Sequence, residues 1–148
     1  MIVTGSPVQA VVDAIKARLS ADTTLTGLCT GGVYGALPRG TRTTFPYLSI
    51  GRTTMGDEAF AMTLEGGKVS VQIDGWSATN GPYQMRTIQG RTRALLQRAP
   101  LAVRGFTPIA GSLKCEMEDC FDERDEDMPD RTLYHGVQRW AIEVEESA

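Results

Sequence analysis

The sequence predicts an α+β fold, a mostly antiparallel mixed sheet with two helices packed on one face. Three observations predict it. Two stretches carry apolar residues at helical spacing, several others alternate with a period of two, and the strands follow one another in runs instead of alternating with helices. A chain of 148 residues suits one domain, 1–148, because that length buries most of its apolar surface around one core.

Ser6-Pro7-Val8-Gln9 predicts a helix start: Ser6 can cap, Pro7 is preorganised for the first turn, and Gln9 completes a capping-box spacing. Val8, Val11, Val12, Ile15 and Leu19 then share one face. Residues 21–29 add a short helical turn, which Gly31-Gly32 ends. Val33 to Pro38 reads as a short edge strand stopped by proline, followed by a polar loop from Arg39 to Thr44. Phe45 to Gly51 is the next strand. In Lys68 to Trp76, Val69, Val71 and Ile73 alternate with Lys68, Ser70, Gln72 and Asp74, so one side is buried. Asn80-Gly81-Pro82 opens a second helix running to about Arg98, with Ile88, Thr92, Leu95 and Ala99 on one stripe, and Pro100 ends it. Leu113 to Met117 alternates as a strand, and Leu133 to Val144 forms a long last strand in which Tyr134, Trp140, Ile142 and Val144 share a parity.

Composition excludes some classes. No apolar run approaches the roughly 20 residues that cross a bilayer, and the first residues carry neither the basic nor the apolar segment of a secretory signal. Cys29, Cys115 and Cys120 contain no C-x-x-C pair, so they read as reduced thiols. The net charge of −3 is unevenly spread. Nine of the 18 acidic residues lie between Glu116 and Asp130, while the rest of the chain sums to +5. An acidic lobe on a basic body suits charge-guided assembly between copies better than general nucleic-acid binding.

Catalysis by a nucleophile and base has only His135 to work with, inside a strand, and a structural or interface histidine is the simpler reading. The acidic lobe lacks the D-x-D-x-D-G spacing of a calcium loop, and neither glycine pair is followed by the G-K-S/T of a phosphate cradle. No metal and no cofactor is expected. The arginines of the second helix are spread around its wheel and read as a solvated face. Residues 53–67 are glycine-rich yet carry Met55, Phe60, Met62 and Leu64, an apolar load that either marks a partner surface or folds back on the chain's own core.

The residues Val12 to Asp22, then Val33-Tyr34 with Pro38, then Pro46-Tyr47-Leu48-Ser49-Ile50-Gly51 resemble the opening of the tail-completion and tail-terminator proteins of siphophages and gene-transfer particles. The resemblance continues through Val71-Gln72-Ile73-Asp74-Gly75-Trp76-Ser77 and Tyr134-His135-Gly136-Val137-Gln138-Arg139-Trp140, and covers nearly the full length. It is carried by order and spacing. It implies a tail-terminator-like sheet backed by two helices, made in the host bacterial cytoplasm and built into the virion neck without cofactor or catalytic residue. Six copies would form a ring between the tail tube protein and the head–tail connector or stopper, and DNA would pass through the lumen without specific binding. The acidic segment looks longer than is usual for the family. The expected interface residues are Met55, Phe60 and Met62 in the apolar segment, and Arg39, Arg42 or the arginines of the second helix opposite Asp125, Glu126 and Asp127 of a neighbouring copy; the alternative is an acidic segment that faces the lumen and repels the phosphates of passing DNA. A head–tail connector or stopper, or a small cytosolic ligand-binding domain, is the alternative.

Overall fold

The computed structural model describes residues 6–36, 44–56, 66–79, 81–125, 128 and 131–147. The elements run α1 (Pro7–Ser20), α2 (Thr23–Leu28), β1 (Val33–Tyr34), β2 (Tyr47–Gly56), β3 (Gly66–Ser77), α3 (Tyr83–Leu96), β4 (Phe106–Pro108), β5 (Lys114–Arg124) and β6 (Thr132–Glu146). The six strands form one sheet in the order β1-β2-β3-β6-β4, with β5 also on β6. Among the described residues, only β1 and β2 pair in parallel. Strands β4 and β5 lie end to end along one edge of β6: β5 meets residues 132–141 and β4 meets residues 144–146. This is the mixed, mostly antiparallel α+β arrangement that the order of elements predicts.

Helix α1 buries Val11, Ile15 and Leu19 completely, the stripe expected from their spacing. Its capping box does not form. Ser6 makes no side-chain cap, and the Gln9 amide instead donates forward to Asp13 Oδ1 at 2.8 Å. The short helix α2 starts where Asp22 accepts the Leu25 N–H at 2.8 Å. The same carboxylate takes both Arg91 Nη2, at 2.6 Å, and Nε, at 2.9 Å, so one side chain caps α2 and ties it to α3. Helix α3 buries Met85, Ile88, Gln89, Thr92 and Leu96. Leu95, placed on the stripe by periodicity, is half-buried instead. The helix stops at Leu96, and Arg98, at a φ of 57°, turns its N–H to Leu113 O at 2.7 Å.

The core lies between the helices and one sheet face, formed by Leu48 and Ile50 of β2, Val69, Val71 and Ile73 of β3, and Trp140, Ile142 and Val144 of β6. Gly75 and Gly136 are opposite one another in the β3–β6 ladder. A Cβ on Gly75 would stand 2.7 Å from Met85 Sδ, and one on Gly136 would stand 2.7 Å from Gln89 Nε2. The pair of glycines is a saddle that lets α3 press onto the sheet. The buried Gln138 beside it accepts the Trp140 indole N–H at 3.3 Å and donates to Gln89 O at 3.1 Å, so the polar atoms under α3 are bonded.

The strands depart from the sequence expectation as well. Strand β4 is new. Strand β2 runs on through Met55 to Gly56, into the segment read as an apolar loop, with a bulge between Ile50 and Thr53. Strand β5 extends through most of the expected acidic lobe, because its carboxylates point off an edge strand and need no burial to stay solvated.

Candidate functional site

Both helices of the expected pair cover one sheet face, and the opposite face carries the chemistry. Across it runs a row of rings from four strands: Tyr47 of β2, Trp76 of β3, His135 of β6 and Phe121 of β5. Ring centroids are 5.2 Å apart for Tyr47–Trp76, 4.4 Å for Trp76–His135 and 5.0 Å for Phe121–His135. Phe45 extends the row, 5.6 Å from Tyr47. The row exists because the register sets Tyr47 opposite Trp76, Trp76 opposite His135, and His135 opposite Phe121.

His135 is held at both nitrogens. Its Nε2 lies 2.8 Å from Asp74 Oδ1 and its Nδ1 lies 2.9 Å from Glu123 Oε1. Burial of the ring favours the neutral form, but hydrogen bonds to the two carboxylates outweigh it and raise the imidazole pKa. The carboxylates sit at opposite nitrogens and do not converge on one point, and among the described residues no set of three acidic, histidine or cysteine side chains is grouped as a metal site. Cys120 is opposite Gly136, so it falls on the helix-covered face, away from the His135 ring. Cys29 is buried in the core, which pushes its thiol up to about 12.

Further along the same face lies a cleft of about 390 Å³ lined by Arg52, Thr54, Ser70, Gln72, Glu116 and Arg139. Lys68 Nζ bonds Glu116 Oε2 at 2.9 Å at its margin.

Of the residues expected at an interface, Arg39, Arg42, Phe60, Met62, Glu126 and Asp127 lie outside the described residues, as does the Met55 side chain. The Met55 backbone pairs with Val69. Asp125 is buried and joined to its own chain: Arg131 Nη2 lies 2.6 Å from Oδ2, and Oδ1 accepts the Met128 N–H at 3.3 Å. Arg131 also stands over the Phe45 ring, 5.0 Å from its centroid. Within one chain, Arg93 Nη2 of α3 reaches Glu118 Oε1 of β5 at 3.1 Å. The sequence reading missed the ring row and the cleft. Their only signal was the period-two placement of Asp74 and Trp76 in a strand whose other parity is apolar.

Among solved structures, a chain from the virion of a native gene transfer agent particle shares this fold. Its TM-score is 0.79 at 20% sequence identity, and the match covers 96% of this chain and 99% of that one. No curated protein matches the sequence. Among the described residues, no helix is long and apolar enough to cross a membrane. The family model of tail completion protein gp17 matches residues 13–145, which takes in every element from within α1 to within β6, and the chain therefore belongs to this family of virion tail components.

Proposed function

We propose that the chain caps the tail tube as a hexameric ring, ends tail polymerisation, and forms the joint with the head through which DNA passes. The observation that carries this reading is the tail-completion family match over residues 13–145. The physical demand on such a protein is asymmetry. It must offer a tube-like surface on one side only, so that growth stops there, and leave an open lumen. Its neighbours in this reading are copies of itself, the tube protein, and a connector or stopper.

The apolar segment bearing Met55, Phe60 and Met62 is assigned to the tube or an adjacent copy, and Arg39 and Arg42 to the acidic segment of a neighbour. Because Asp125 is held by Arg131, the residues of the acidic trio to reverse in a test of that contact are Glu126 and Asp127.

The deciding experiment is light scattering on a sizing column, with and without purified tail tubes, followed by negative-stain imaging. Six 16.0 kDa chains give a ring of 96 kDa, either free or seated at tube ends. A monomer that ignores purified tubes overturns the reading, and a ring that binds portal-bearing heads but not tubes replaces it with a connector.

A further inference from the structure

We infer that copies of this chain join edge to edge, the free edge of β5 in one copy pairing with the free edge of β2 in the next. The inference rests on the proposed ring and names how its members meet.

Strand β5 pairs with β6 on one side, and among the described residues no strand pairs with its other side. Near its start the edge is covered, since Gln97 Oε1 accepts the Cys115 N–H at 3.0 Å. From Glu116 to Arg124 every residue except Cys120 and Glu123 is exposed. Two of them are large and apolar, Met117 at 37% and Phe121 at 38% exposure. A long exposed edge carrying apolar side chains is a template for another strand. It is also acidic, with Glu116, Glu118, Asp119, Asp122 and Glu123. Two β5 edges laid together would set like charges opposite, so β5 is matched to an edge of the other sign.

The far side of the sheet offers one. Strand β1 covers β2 only at Leu48 and Ser49, and Gly51, Arg52 and Thr54 beyond it are exposed. Arg52, the one charged residue of β2, lines the 390 Å³ cleft and forms no ion pair with a described residue. The faces agree as well. Phe121 is opposite His135, so Asp119, two residues before it, lies on the helix-free face. Thr54 is opposite Ser70, and Arg52, at the bulge, lines the same cleft beside both, so it lies on that face too. Joining the edges therefore brings Asp119 of one copy to the side of the sheet that bears Arg52 of the next. The two edges are different surfaces at opposite ends of one sheet, which makes the contact heterologous, the kind that closes into a ring when repeated about an axis.

The test uses two full-length variants, Asp119→Arg and Arg52→Glu, each checked for folding by circular dichroism. Both sites are exposed. Each variant alone sets like charges across the joint, and its assembly midpoint, read by light scattering at low salt, should rise about tenfold. Mixed one to one, they set opposite charges across every joint of an alternating ring, and the midpoint should return to that of the parent. Parent-like assembly of either variant alone, or no recovery on mixing, overturns the edge joint. Capping of tail tubes by the parent is scored separately. If capping stands while the mixing result fails, the joint is wrong and the function is not; if the parent does not cap tubes, the function itself falls.

Discussion

At the scale of single residues, two side chains tie pH to stability. The Arg91 hydrogen bond holds Asp22 down at about 2, below its ordinary 3.8. A lowered carboxylate contributes stability above its unfolded value and loses it as pH falls through the folded one. Asp22→Asn keeps a good cap but removes the charge, so the variant should be less stable than the parent at neutral pH and match it near pH 2 in urea titrations. His135 has the opposite sign. Its pKa is raised, so its contribution is full below the unfolded value, about 6.5, and fades as pH rises through the folded one. The stability gap between the parent and His135→Gln should narrow from pH 5.5 to pH 9, with the imidazole titration followed by NMR. A gap that stays constant would show that the two carboxylates do not hold the charged ring. Neither pairing was legible in the sequence, since Asp22 and Arg91 are 69 residues apart and Asp74 and His135 are 61 apart.

At the scale of elements, what could be read was local and what could not depended on register. Val11, Ile15 and Leu19 of α1, and Val69, Val71 and Ile73 of β3, were legible because a helix or strand with one buried face writes its period into the sequence. Strand β4 was not, because three residues containing proline carry no period. The acidic run of β5 was half-read, because charged residues on an exposed edge look like a loop. The glycine saddle was missed for a related reason: its meaning appears only when Gly75 and Gly136 fall opposite each other beneath Met85. Gly136→Ala should cost about 1–3 kcal/mol by overpacking in chemical denaturation. Combining it with Met85→Ala should recover part of that loss if the crowding is at the thioether. Trp140→Ala, which empties the centre of the core, should cost about 3–5 kcal/mol.

At the scale of the molecule, the division of the sheet organises everything else. One face is spent on the core, the other keeps a ring row and a two-arginine cleft, and among the described residues the exposed edge of β5 is acidic while that of β2 carries Arg52. Assembly of the proposed ring should therefore weaken with salt, as expected for joints guided by opposite charges; an assembly midpoint unmoved between low and high salt would count against charge as the guide. The placement of β6 adds a mechanical property. It is bound on one side by β3 and on the other by β5 and then β4 for nearly all its length. A pull along β6 loads those hydrogen bonds in shear, so many must yield together. A pull across the sheet at the short β1 opens bonds one after another. The subunit thus has a stiff axis and a soft one. Single-molecule pulling from the two ends of β6 should need a larger force than pulling β1 away from β2. In the proposed ring, a joint whose members align β6 with the direction of load would resist tension between head and tail.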